Sequence, residues 1–193
     1  MIVLITGGAR SGKSAFAERY AEKLAGDRGG VYVATAQALD EGMRRRIDKH
    51  RASRESSAFR WETAEEPLEA AELLDKLAAE EPAPLILLDC LTLWLTNVLL
   101  EGDTETEDRE RTEERVMRRI EELVGAFERY PGTALLVTNE VGDGIVPEHR
   151  LGRIFRDYAG VLNQRVASIS EEVFLVTAGI PVELKRLAYR WPE

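Results

Sequence analysis

An α/β fold with a mostly parallel sheet covered by helices on both faces is predicted by three observations. Apolar runs of strand length recur along the 193 residues, longer segments of helical periodicity separate them, and a glycine-rich turn joins the first run to the first helix. Strands covered on both faces read as continuous apolar runs, because neither face meets water.

The elements follow in order. Met1 to Thr6 is the first buried strand. From Ser14 to Leu24 the apolar residues Phe16, Ala17, Tyr20, Ala21 and Leu24 recur at helical spacing, and Gly26 ends the helix. Val31 to Ala34 is a short second strand, and Leu39 to about Ser53 a helix rich in arginine. Pro67 to Ala79 is a helix with proline suited to its first turn. Leu85 to Leu88 is a strand after Pro84, and Leu91 to Leu100 an apolar helix. Residues 107–130 form a long charged helix with Val116, Ile120, Leu123, Val124 and Phe127 at apolar positions. A strand at Thr133 to Thr138, a helix at 149–169 and a strand at Val173 to Ala178 follow, and Pro181 to Glu193 is an irregular surface tail. No repeat or linker divides the chain, so residues 1–193 are expected to form one domain.

Composition narrows the function. Apolar residues make up 44% and charged residues 32%, a globular profile, and 35 acids against 26 bases give a formal net charge of -9. That charge argues against nucleic-acid or anionic-lipid partners. The single cysteine, Cys90, excludes an internal disulfide framework and points to a reducing compartment, the cytoplasm. No apolar run approaches the ~18 residues of a membrane span, and the amino terminus lacks the basic region of a signal peptide. Residues 101–114 hold eight acids, two arginines and three threonines, which reads as a solvated loop entering a surface helix.

The chemistry begins at Gly7-Gly8-Ala9-Arg10-Ser11-Gly12-Lys13-Ser14, which matches G-x-x-x-x-G-K-[ST] between a strand and a helix. Glycines let several backbone N–H groups converge on one phosphate, and the helix start adds its positive dipole end. Lys13 supplies a charge for the β- and γ-phosphates, and the Ser14 hydroxyl can sit on Mg²⁺. A nucleoside triphosphate with magnesium is therefore expected. Such a site needs a second acid at a strand end, and Asp89 fits, although it also fits as the N-cap of the helix that follows. Ligands of open parallel sheets gather beyond the carboxyl ends of strands, which places residues 7–14, 35–37, Asp89, Asn139-Glu140 and Gly179 around one site. Thr138-Asn139-Glu140-Val141 lacks the Lys and Asp of the NKxD guanine signature.

Residues 44–60 carry seven bases (Arg44, Arg45, Arg46, Lys49, Arg51, Arg54 and Arg60) against Asp48 and Glu55. On a helix, Arg46, His50 and Arg54 share one stripe. Two readings of His50 stand. In one it faces inward with Met43 and Ile47 while the arginines are solvated. In the other a neutral His50 attacks the α-phosphate of a nucleotide while arginines hold the released pyrophosphate. His149, after Pro147-Glu148 at a helix start, reads as a capping or surface residue.

Several segments together resemble one family: residues 5–14, Tyr32 to Gln37, Arg46 to Arg54, Leu88 to Thr92, Val137 to Gly142, Ile145 to Pro147, Phe155 to Asp157 and Leu162 to Arg165. They resemble the bifunctional adenosylcobinamide kinase / adenosylcobinamide-phosphate guanylyltransferases of cobalamin biosynthesis over about residues 1–185. The resemblance implies a RecA-like P-loop fold and a homotrimer. It implies phosphorylation of adenosylcobinamide by ATP or GTP, then transfer of GMP from GTP to the product. It maps a covalent GMP–histidine onto His50. It maps nucleotide contacts onto Gly7, Gly8, Ala9, Arg10, Ser11, Gly12, Lys13, Ser14, Thr35, Ala36, Gln37, Arg51, Ala52, Ser53 and Arg54, with Glu65 and Asp89 beside them. Relatives can carry two adjacent histidines where this chain has Lys49-His50, and Glu where it has Asp89. The residues by themselves also admit a single-activity P-loop kinase of a small metabolite, or a nucleotide-gated regulatory subunit.

Overall fold

The computed structural model describes residues 1–38, 40–102 and 108–190, without the side chains of Arg46, Lys49 and Ser53. In order, its elements are β1 (Ile2–Thr6), α1 (Lys13–Ala25), β2 (Gly30–Ala34), α2 (Glu41–Glu55), β3 (Trp61–Glu65) and α3 (Ala70–Ala78). Then come β4 (Ile86–Asp89), α4 (Leu91–Leu100), α5 (Arg109–Arg129), β5 (Ala134–Val137), α6 (Arg150–Ile169), β6 (Glu172–Thr177), β7 (Ile180–Glu183) and α7 (Leu184–Leu187). Leu39, the middle of the acidic run (103–107) and the end of the tail (191–193) lie outside the described residues.

The strands form one sheet in the order β3-β2-β4-β5-β1-β6-β7. All pairings are parallel except β6 with β7. β5 separates the phosphate-loop strand β1 from the Asp89 strand β4. Strand side chains alternate between faces. Ile2, Leu4, Val31, Val33, Ile86, Leu88, Ala134 and Leu136 pack in one core with residues of α3, α4, α5 and α6. Val3, Ile5, Tyr32, Leu87, Leu135 and Val137 pack in another, with Ala17, Ala21 and Ala25 of α1. Helices therefore cover both faces, unequally, and the more thinly covered face carries the phosphate loop.

Two strands escape periodicity. β3 reads Trp-Glu-Thr-Ala-Glu, too polar for a buried run, yet it pairs with β2 from Gly30↔Trp61 to Ala34↔Glu65. An edge strand needs only one partner and keeps polar groups in water. β7 corrects the expectation of an irregular tail from Pro181: Ile180–Glu183 pairs antiparallel with β6, and Leu184–Leu187 follow as one helical turn. The two-residue turn between them has Ala178 at φ 51° and Gly179 at φ 79°. Two central residues with positive φ make the hairpin turn that matches strand twist. Pro67 is not in the first turn of a helix. The Glu66 carboxylate accepts from the N–H groups of Leu68 and Glu69 at 3.1 and 2.8 Å, forming a turn, and α3 starts at Ala70.

Candidate active site

The phosphate loop leaves β1 and enters α1. Gly12, at φ 96°, precedes the helix, and its carbonyl accepts the Phe16 N–H at 3.0 Å. Arg10 also has positive φ, 57°. At Gly7 a Cβ would collide with the Val176 carbonyl oxygen, so the loop packs against β6 more closely than a side chain allows. The Gly179 N–H donates to the Ser11 carbonyl at 2.8 Å, so the β6–β7 turn braces the loop. Lys13 is buried, and its Nζ donates to the Gly8 carbonyl at 3.0 Å.

Asp89 closes β4, and the N-cap position of α4 belongs to Cys90, whose side chain makes no capping bond. Of the two sequence readings of Asp89, the strand end is the one observed. Its carboxylate accepts from the Tyr32 hydroxyl at 3.2 Å. Burial, aided by the Asp89 charge, pushes the Cys90 thiol up to about 11, leaving it protonated at neutral pH. The buried Thr35 hydroxyl accepts from the Cys90 N–H at 2.9 Å and donates to the Cys90 carbonyl at 2.8 Å, joining the ends of β2 and β4. Beyond it, Ala36 lines the cavity described next, and Gln37 is half-buried.

α2 lies over this edge of the sheet. The Asp40 side chain caps it by accepting from the Met43 N–H at 2.8 Å. A small cavity of about 60 Å³ is lined by Ser14, Tyr32, Met43, Ile47, His50 and Asp89, among others. A larger cleft of about 710 Å³ runs along the phosphate loop from Arg10 to Ser14 and is bounded by Glu18, Gly42, Arg45 and His50. His50 and Ser14 line both. His50 thus faces inward with Met43 and Ile47, and that inward side also carries Ser14 of the phosphate loop and Asp89.

The arginines of α2 divide. Arg44 and Arg45 are exposed, and Arg51, also exposed, pairs with Glu65 at the end of β3. Arg54 is buried, with its guanidinium carbon 3.6 Å from the centre of the Tyr32 ring. Its Nε and Nη1 are buried without a hydrogen-bond partner among the described residues. Arg51, Arg54 and Glu65 line an adjoining hollow of about 330 Å³ with Glu55, Trp61 and Thr63. Ala52 is exposed; the Ser53 side chain lies outside the described residues. Burial raises the Glu18 carboxyl, an effect that Arg54 opposes and Asp89 reinforces. Glu18 and Tyr32 were not identified from sequence as site residues. Glu18 could have been: it stands one helical turn after Ser14, so the two share a stripe of α1.

Asn139 and Glu140 leave β5 beside the loop. The Glu140 N–H donates to the Gly7 carbonyl at 3.2 Å, and Asn139 Nδ2 donates to Thr92 Oγ1 at 2.6 Å. His149 is exposed at the N-cap of α6 without a side-chain capping bond, which leaves it the surface role of the two expected.

Among the described residues no cluster of three or more His, Cys, Asp or Glu could hold a metal ion by itself. Magnesium does not require one, since it retains waters and takes phosphate oxygens with one or two protein oxygens. The Ser14 hydroxyl and Asp89 carboxylate, lining one cavity, fit that donor set. No helix among the described residues is long and apolar enough to cross a membrane.

Residues 3–184 match the family model described as "Cobinamide kinase / cobinamide phosphate guanyltransferase". The chain is 44% identical over 190 residues to "Bifunctional adenosylcobalamin biosynthesis protein CobU" of Escherichia coli, with 96% of this chain and 100% of that protein covered. It is 46% identical over 192 residues to the protein of the same name from Salmonella typhimurium, with 96% and 100% covered. It is 46% identical over 184 residues to "Bifunctional adenosylcobalamin biosynthesis protein CobP" of Pseudomonas aeruginosa, with 94% and 96% covered. Among solved structures, a KaiC-like protein from Pyrococcus horikoshii aligns with 90% of this chain and 69% of its own at 16% identity and a TM-score of 0.44.

Proposed function

The chain belongs to the cobinamide kinase / cobinamide phosphate guanyltransferase family, and from that membership we propose that His50 carries GMP between the two substrates of the second reaction. The protein is a bifunctional enzyme of adenosylcobalamin biosynthesis that phosphorylates cobinamide and guanylylates the product. In the first reaction the aminopropanol hydroxyl of adenosylcobinamide attacks the γ-phosphorus of ATP or GTP. A P–O bond forms, the bond to the β-phosphate breaks, and the hydroxyl proton leaves. In the second, a ring nitrogen of His50 attacks the α-phosphorus of GTP and pyrophosphate departs. The phosphate oxygen of the corrinoid then attacks the same phosphorus, the P–N bond breaks, and adenosylcobinamide-GDP leaves with the histidine regenerated. Two displacements replace one direct attack between anions.

The observation that supports this is the position of His50, shared between the phosphate-loop cleft and the Ser14–Asp89 cavity. Residues 7–14 cradle the phosphates with their N–H groups, and Lys13 exchanges the Gly8 carbonyl for a phosphate oxygen. Arg45 and Arg54 neutralise the departing pyrophosphate, and the hollow of Arg51 and Glu65 takes part of the nucleotide beyond His50. Ala36, Gln37 and Ala52 contribute contact, and Thr35 holds the ends of β2 and β4 together. Mg²⁺, held by Ser14 and Asp89 when bound, supplies neutralising charge to the triphosphate. The enzyme works as a homotrimer in the cytoplasm. The exposed Ile180, Val182, Leu187 and Tyr189 at the β7–α7 edge offer an apolar surface for such assembly.

Treating the protein with GTP and digesting it tests the assignment. A GMP-sized mass is expected on the peptide holding His50, labile to acid and stable to base. His50→Ala should lose it together with guanylyl transfer, while retaining kinase turnover with ATP. A label on His149 or on a lysine, or full transfer with no adduct, would refute it.

A further inference from the structure

The nucleotide site leaves unexplained the loop from Asn139 to His149, between β5 and α6. Its root touches the phosphate loop through the Glu140 N–H and the Gly7 carbonyl. Its course is fixed from α6: Arg156 donates to the Gly142 carbonyl, and Arg153 Nη1 donates to the carbonyls of Pro147 (3.1 Å) and Glu148 (2.5 Å). Pro147 sits so close to Gly152 that a Cβ there would come within 2.8 Å. From this pinned backbone Ile145 stands 98% exposed and Val146 60% exposed. Isolated apolar residues on a surface need no explanation, but adjacent ones on a braced loop whose root bonds the phosphate loop do. The same segment holds Glu140, Asp143 and Glu148, all exposed, and no lysine or arginine.

We propose that the loop of residues 139–149 is the platform that receives the corrin ring of the cobinamide substrate, with Ile145 and Val146 against the ring and Asp143 and Glu148 beside it. The inference rests on the kinase and guanyltransferase reading. A corrin is too large for the clefts around the phosphate loop, yet its aminopropanol arm must reach the phosphates there. The ring must therefore lie on the protein surface within one arm's length of residues 7–14. The two flanks of that rim differ in charge. α2 presents Arg44 and Arg45, suited to a triphosphate. Loop 139–149 presents carboxylates and apolar side chains. A cobalt(III) corrin with an alkyl ligand is a cation with a methyl-studded periphery, and it matches the second flank on both counts.

The test is direct titration of adenosylcobinamide into the intact protein, followed by its visible absorption, with GTP affinity read on the same samples. The double variant Ile145→Ser, Val146→Ser should raise the corrinoid Kd on the order of tenfold, about 1.4 kcal/mol, since a ring lying on the surface covers each apolar side chain only in part. Its GTP affinity should stay within about twofold. Ile145→Leu alone should keep most of the corrinoid affinity, and Asp143→Asn with Glu148→Gln should weaken binding and flatten its salt dependence. An unchanged corrinoid Kd in the serine double variant would overturn the proposal. So would a smaller assembly in sedimentation velocity with corrinoid affinity intact, which would make the loop an interface between copies. Wild-type protein that binds GTP but no corrinoid would sink the substrate reading itself, and this inference with it.

Discussion

At the scale of single residues, a short chain of contacts lies behind the site. Arg54 stacks on Tyr32, and the Tyr32 hydroxyl donates to Asp89. Burial, then the neighbouring Asp89 charge, pushes the Tyr32 phenol well above its ordinary range, so it remains a hydrogen-bond donor at any physiological pH. Asp89→Asn keeps the size of the side chain and an oxygen to accept that bond, but removes the charge. The variant should retain the thermal midpoint of the parent while requiring more Mg²⁺ for half-maximal turnover. A magnesium titration of kinase activity beside a melting curve checks both. Unchanged magnesium dependence with a lowered midpoint would make Asp89 a purely structural residue.

At the scale of elements, the phosphate loop owes its shape to strands distant in sequence. Gly7 packs against β6, and Ser11 is held by the turn between β6 and β7. Gly7→Ala would press a Cβ into the Val176 carbonyl, and something must shift. A loss of about 1–3 kcal/mol, the usual result of overpacking, is expected in urea unfolding, together with weaker triphosphate binding. Gly8→Ala, where a Cβ meets nothing within 4 Å, is the control for stability. A second tie joins α5 to the segment before α3. Arg119 donates to both Glu69 carboxylate oxygens at 2.9 and 3.0 Å and to the Leu68 carbonyl at 2.9 Å. That bonding holds the Glu69 carboxyl below its ordinary value. Arg119→Met should cost about 1 kcal/mol by the same unfolding assay, since the Leu68 carbonyl keeps the Trp94 indole N–H at 2.9 Å and the partly exposed Glu69 carboxylate can turn to water.

For the molecule as a whole, buried phenols and the buried Cys90 thiol set the alkaline limit. Burial and a 2.5 Å hydrogen bond to Glu172 push Tyr20 up to about 12, and burial pushes Tyr130, which donates to the Pro84 carbonyl, also to about 12. Both have an ordinary value of 10.0. A pKa raised on folding contributes stability that is complete below the unfolded value and lost as pH rises through the folded one. The Cys90 thiol, with an ordinary value of 9.0 and pushed up to about 11, acts in the same direction, so the melting temperature should hold to about pH 9 and fall between about 9 and 12. The Tyr20→Phe, Tyr130→Phe double variant should show a shallower decline over that interval. Equal slopes in the two proteins would show that other groups govern it.

By itself the sequence determined the α/β class, the five central strands and the phosphate loop. Each of those signals is local and contiguous: a fully apolar run implies burial on both faces whatever its partners, and residues 7–14 are recognised from their own pattern between a strand and a helix, although β6 and the β6–β7 turn brace the loop they form. Only the tertiary structure decided the rest. β3 and β7 are strands because β2 and β6 offer them an edge, a pairing that five polar-leaning residues and a proline do not announce. Arg54 is buried although its neighbours Arg44, Arg45 and Arg51 are exposed, because the Tyr32 ring happens to lie beneath it. His50 meets Ser14 and Asp89 in one cavity because the parallel sheet brings the carboxyl ends of its strands, far apart along the chain, to the same edge.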